Sequence, residues 1–100
     1  MEIDETIKNL QEKITKTKSW LLSNQDREIK RIRASFEQEA TKSCDTAMMR
    51  ALDEGKSIKE QQKACDDIVK LVQVRYMQIE FEYLQEILKE EKENEQNIQT

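Results

Sequence analysis

Apolar residues in the first half of the chain recur about every 3.67 residues, which is the spacing of an 11-residue helical repeat. From Ile3 to Ala51, eleven of the fourteen positions at this spacing are apolar. Such a stripe is typical of a long, nearly straight helix that is apolar along one side. We therefore predict one helix over about residues 4–53.

Two of the three polar residues in this stripe, Lys18 and Gln25, fall close together in the chain. They lie near the segment Ser23-Asn24-Gln25-Asp26, in which Ser or Asn is a good N-cap residue for a new helix. An alternative prediction therefore breaks the first helix near Ser23.

The strongest stop signal follows the first stripe, at Gly55. Glycine readily adopts the left-handed conformation that closes a helix C-terminus. Ser57-Ile58-Lys59-Glu60 then matches the S-x-x-E capping box that opens a helix. The two signals together predict a tight turn over residues 54–57, a second helix over about 58–95 and a frayed tail over 96–100.

The second predicted helix carries more apolar surface than one neighbouring helix can cover. From Ala64 to Leu88, fifteen of the twenty-five residues are apolar, and so wide an apolar face must be covered on more than one side. We predict that part of this face, together with Trp20 near the open end of the hairpin, binds a partner. The face residues are Ile68, Leu71, Val72, Val74, Met77, Phe81, Leu84 and Leu88.

Folding the chain about Gly55 makes a single all-α domain over residues 1–100, a long antiparallel hairpin resembling a coiled coil. In this register Ile32 faces Met77 and Leu21 faces Leu88. Charge supports the pairing, because residues 8–33 hold eight basic and three acidic residues while residues 76–100 hold seven acidic and two basic. Complementary charge patterns of this kind select helix orientation.

The surplus apolar face predicts assembly, either as a homodimer that forms a four-helix bundle or as one subunit of a hetero-oligomeric helical complex. An alternative is a three-helix monomer broken near Ser23. The expected function is accordingly non-enzymatic protein–protein interaction by a coiled-coil adaptor or scaffold subunit.

Composition limits the chemistry that the chain can perform. It has no histidine, no proline and one glycine, which removes the commonest general base and any glycine-rich phosphate loop. Glutamates spaced four apart, such as Glu82 and Glu86, are interpreted as a solvated acidic face. We expect no enzyme activity, no cofactor, no metal site and no transmembrane segment, and a cytoplasmic or nuclear location.

Two cysteines, Cys44 and Cys65, lie level on the paired helices of this register. A disulfide between them satisfies the geometric requirement if their Cα atoms come within about 7 Å. We favour two reduced, half-buried thiols instead, because this is the usual state in the cytosol.

Residues 8–33 support a competing hypothesis, a module that binds polyanions or membrane surfaces through its basic side chains. The net charge of −4 opposes it, so nucleic-acid binding is not expected. In size and central turn the chain also resembles the small secreted helical hairpins of the ESX type, which implies a small exported protein as a further alternative. The W-x-G turn of that family is replaced here by Asp53-Glu54-Gly55, so no family is assigned.

Overall fold

A computed structural model describes residues 2–99 of the chain, and the side chains of residues 2–95. The described residues form three helices, α1 (Glu2–Trp20), α2 (Asp26–Asp53) and α3 (Ile58–Gln99), and two connecting segments. The all-α prediction is confirmed. The prediction of one helix over 4–53 is wrong, because the chain leaves the helical conformation after Trp20. Helix α3 continues to Gln99, past the predicted helix end at about residue 95, and Thr100 lies outside the described residues.

The break between α1 and α2 is held by hydrogen bonds from α3. The carboxylate of Glu91 accepts the backbone N–H groups of Leu22 at 3.0 Å and Ser23 at 3.1 Å, and also the Ser23 hydroxyl. The Asn24 side-chain oxygen accepts the N–H of Asp26 at 2.9 Å, as turn-forming Asn residues do. These acceptors satisfy backbone donors that a continuous helix would have satisfied internally, so they stabilise the break.

The hydroxyl of Tyr83 on α3 donates a hydrogen bond to the side-chain oxygen of Gln25, which ties the end of the same loop to α3. Burial and the nearby carboxylates of Glu28 and Glu90 raise the pKa of Tyr83 above its usual value. The hydroxyl therefore keeps the proton that it donates to the loop.

The second connection has the predicted chemistry. Gly55 has a φ of +75°, its N–H donates to the carbonyl of Leu52, and the N–H of Lys56 donates to the carbonyl of Ala51, both at 3.0 Å. This pair of bonds is a Schellman motif. Ser57 then caps α3, because its Oγ accepts the N–H of Glu60 at 3.2 Å. The predicted turn at residues 54–57 is confirmed.

Helix α1 runs parallel to α3, not antiparallel as the hairpin register required. Asp4 at the start of α1 pairs with Lys70 at 3.1 Å, and the Lys13 ammonium lies 6.0 Å from the centre of the Phe81 ring. Residue numbers on the two helices thus increase together. The break after Trp20 reverses the chain, and α2 then runs antiparallel to both α1 and α3.

The core lies near the α1–α2 loop, where all three helices meet. Ile14 from α1, Ile29 from α2 and Leu84 from α3 are buried against one another, and Leu21, Met77, Phe81 and Tyr83 pack around them. Ile29 and Leu84 are the most completely buried large side chains. One apolar residue from each helix therefore fixes the packing of all three.

The opposite end of the molecule contains only two helices. Because Asp4 lies level with Lys70, α1 does not reach the part of α3 that precedes about residue 68. Here α2 and α3 meet through small residues, among them the buried Ala51. We call this part, residues 41–67, the hairpin tip.

A disulfide joins Cys44 and Cys65 in the hairpin tip, with their Cα atoms 4.4 Å apart. The predicted level placement of the two cysteines is therefore correct. The structure departs from the two reduced thiols that we favoured. The close approach is allowed by the small side chains around it, because Ala and Ser residues let the two helix backbones come near.

Candidate functional site

The α3 face that was predicted to need a partner is largely covered within the chain. Val72 is buried, Leu84 is fully buried, and Met77 and Phe81 pack against the core. Ile68, Val74 and Leu88 are half-buried. The expectation that a monomer leaves this face exposed is wrong, because α1 turns back after residue 20 and covers it.

Other apolar side chains remain exposed at separate places. Trp20 and Leu71, both predicted as partner contacts, are each 57% exposed. Leu22 is exposed in the α1–α2 loop, while Met49, Leu52 and Ile58 are exposed around the Gly55 turn. These residues lie at both ends and on the outer side of α3, so they do not suggest one continuous patch.

A groove between α1 and α2 is the candidate binding site of this surface. Within residues 2–99, α1 and α2 each pack on α3, but their backbones do not approach one another. The space between them has a volume of about 540 Å³. Binding clefts for compact ligands fall in the range of about 300–1,000 Å³, so the groove is large enough to admit several side chains.

The groove is lined by apolar and polar side chains from all three helices. Its apolar lining consists of Ile14, Ile32, Phe36, Tyr76 and Met77, and its polar lining consists of Gln11, Thr15, Arg33, Glu37, Gln73 and Glu80. We call these eleven residues the groove lining. Ile32, Phe36, Tyr76 and Met77 are half-buried, so the groove leaves apolar surface in contact with solvent.

Two aromatic rings form a fixed part of the groove. The rings of Phe36 and Tyr76 are 6.0 Å apart at their centres and tilted by 57°, an arrangement that aromatic pairs favour. The hydroxyl of Tyr76 lies beside the Glu39 carboxylate, and hydrogen bonding to it raises the pKa of Tyr76 above its usual value. Glu39 also accepts from Arg75 at 3.1 Å. These contacts hold the Tyr76 ring in place without a ligand.

One buried charge borders the groove. Glu80 of α3 is 6% exposed, and its carboxylate accepts from the Arg33 guanidinium of α2 at 3.4 Å. The predicted facing of Ile32 and Met77 is consistent with this arrangement, because both residues line the same groove. Among the described residues, Arg33–Glu80 is the one ion pair that joins the oppositely charged segments 8–33 and 76–100.

The basic segment 8–33 is partly engaged with carboxylates of this chain. Lys18 pairs with Asp26 at 3.5 Å, Arg31 with Glu28 at 3.7 Å, and Arg33 with Glu80. The segment is also divided between two antiparallel helices. These pairs reduce the positive charge available to a polyanion, so the segment is a weaker candidate than the groove.

Among the described residues, no group of three Cys, Asp or Glu side chains lies close enough together to hold a metal ion. No helix in that part of the chain is both long and apolar enough to cross a membrane. Comparison of the chain with protein-family models, with curated proteins and with solved structures finds no match.

Sequence reasoning did not identify the groove. Phe36 lies on the 3.67-residue apolar stripe of the first half of the chain, and Tyr76 lies in the apolar segment between Ala64 and Leu88, so a hairpin packs both of them inside. The sequence feature that could have indicated the groove is the possible helix break near Ser23. A break there lets the chain reverse after α1, so that α1 becomes a third helix beside α3 and the groove forms between α1 and α2. Arg33 and Glu80 were included in the facing charged segments, but their sequence pattern does not show that Glu80 is buried.

Proposed function

We propose that this chain is a non-enzymatic protein-interaction module that binds an amphipathic helix in the groove between α1 and α2. The observation that carries the proposal is the separation of α1 from α2 over a floor of half-buried apolar residues. A helix placed there would contact all three helices and complete a four-helix arrangement. Helix-in-groove binding of this kind uses apolar side chains spaced three or four residues apart.

The apolar lining of the groove favours a helix as the bound partner over a flat protein surface. Ile32 and Phe36 are four residues apart on α2, so they lie on adjacent turns of one helix face. Tyr76 and Met77 form the floor between α1 and α2. An incoming helix that buries these four side chains gains roughly 25 cal/mol for each Å² of apolar surface removed from water.

The experiment is a display selection of amphipathic helices against the full-length chain. Selected helices should lose binding to Gln11→Trp, because an indole on this exposed α1 position obstructs the groove without removing a core residue. Leu71→Trp is the matched control, because Leu71 is exposed outside the groove lining. A selection that yields no helices, or helices that bind Gln11→Trp as tightly as the unchanged protein, would contradict the proposal.

The expected cytoplasmic or nuclear location stays a prediction, and the disulfide bears on it. Cytosolic proteins usually keep their thiols reduced, whereas oxidising compartments preserve disulfides. Rapid alkylation of the protein in intact cells tests the location. Labelled Cys44 and Cys65 support a reducing compartment, and thiols that become reactive only after reduction oppose it.

A further inference from the structure

We propose that the helix bound in the groove carries a lysine or arginine within its apolar stripe, and that this cation approaches Glu80. The inference rests on the proposed helix-binding function and adds the chemistry of the partner. It is drawn from the burial of Glu80, the geometry of its ion pair and the charges of the groove lining.

Among the described residues, Glu80 is the one charged residue that is buried, with 6% of its surface exposed. Removing a carboxylate from water is costly unless hydrogen bonds and opposite charge compensate it. Its contact with Arg33 is 3.4 Å long, while charge-assisted N–H···O bonds are usually about 2.7–2.9 Å. The compensation of Glu80 within this chain is therefore weak for a buried carboxylate.

Arg33 is held at the edge of the groove and remains hydrated. Its side chain is 63% exposed, whereas that of Glu80 is 7% exposed. The charged members of the groove lining are Arg33, Glu37 and Glu80, two acidic residues and one basic residue. The groove thus has an excess negative charge, with one carboxylate at its floor.

A wholly apolar helix laid over this floor would remove more water from Glu80 and return no hydrogen bond. A helix with a basic residue at that point supplies both a donor and the opposite charge, which offsets the cost of desolvation. The rings of Phe36 and Tyr76 also border the groove, and aromatic faces attract ammonium and guanidinium groups. An acidic residue in the same place would be repelled. The site therefore selects by charge as well as by apolar contact.

The experiment repeats the helix selection with one stripe position randomised among all residues. With the unchanged protein, we expect Lys and Arg at that position to be enriched at least about tenfold over Asp and Glu, as close charge pairs at interfaces typically give. Selection against Glu80→Gln, which preserves the shape of the side chain, should lose this enrichment. Arg33→Gln should increase it, because Glu80 then has no cation from its own chain. Circular dichroism of each variant checks that the helices are intact.

Four outcomes overturn the inference, and they separate it from the proposed function. Helices that bind the groove with no preference for a basic residue contradict the charge selection and leave the helix-binding function standing. A selection without any groove-binding helix overturns both. Self-association of the unchanged chain in sedimentation that Gln11→Trp abolishes would make a second copy the occupant, and would overturn the inference about a basic partner helix. Retained enrichment with Glu80→Gln would assign the preference to another residue.

Discussion

Reducing the Cys44–Cys65 disulfide should destabilise the protein by an amount that the chain length between the cysteines predicts. The two residues are separated by 21 positions. In the chain-entropy treatment, a loop of this length restricts the unfolded chain by about 3 kcal/mol at 25 °C. Their Cα separation of 4.4 Å lies at the short end of the range for disulfides, so the bond joins helices that already approach closely.

Urea unfolding followed by circular dichroism measures the effect with and without a reductant. Small proteins lose about 1–3 kcal/mol of unfolding free energy per molar urea, so reduction should lower the midpoint by about 1–3 M. The double variant Cys44→Ser with Cys65→Ser is the control, because its midpoint should match that of the reduced protein and should not respond to reductant.

Hydrogen exchange adds a local test. Helix α1 does not reach the hairpin tip, so reduction should speed exchange at residues 41–67 more than at the three-helix core. Equal urea midpoints for the oxidised and reduced protein would refute the reasoning. So would a loss of protection that is uniform along α1, α2 and α3.

Other perturbations test the loop, the core and the turn. Hydrogen bonds from Leu22 and Ser23 lower the pKa of Glu91. The stability that the Glu91 carboxylate contributes is therefore complete above about pH 4.5 and is lost as the pH falls through the lower folded-state pKa. Glu91→Gln should destabilise the protein at pH 7 and make its stability in urea titrations less dependent on acid pH. Leu84→Ala should lower the free energy of unfolding by about 2–5 kcal/mol because Leu84 is 0% exposed, whereas the exposed Leu71 should lose less than about 0.5 kcal/mol on change to Ala. Equal effects of the two changes would contradict the assignment of Leu84 to the core. Gly55→Ala should lower the free energy of unfolding by about 1–2 kcal/mol through the positive φ alone, since nothing lies within 4 Å of an added Cβ. Gly55→Asn should lower it less, because Asn adopts this conformation more readily than Ala, and thermal unfolding measures both changes.

The sequence predicts local features of this fold well where the chemistry is local. Gly55 and Ser57 close one helix and open the next through backbone conformation and side-chain capping, so neighbouring residues suffice to predict the turn. The level placement of Cys44 and Cys65 follows from that turn, because a tight connection leaves little freedom in the register of the residues beside it.

The direction of α1 depends on a contact between distant residues, which local patterns do not contain. Glu91 caps the loop at Leu22 and Ser23 from nearly seventy residues away. In the sequence it is one glutamate among several in an acidic segment. The stripe period continues past the break, and near it only Lys18 and Gln25 are out of place, so apolar spacing alone favoured an unbroken helix. The groove depends on this reversal and was missed for the same reason.

The parallel alignment of α1 with α3 has a consequence for the order in which the chain folds during synthesis. Helices α2 and α3 meet through a short connection, while Ile14 must contact Leu84 across most of the chain. Chains are synthesised at about 5–20 residues per second, so α1 waits roughly 4–14 s for the approximately 70 residues that separate these partners. During this interval the apolar side of α1 has no α3 to cover it. The apolar residues of α1 that pack on α3 in the folded chain, such as Ile14, therefore stay without this cover until α3 has been synthesised.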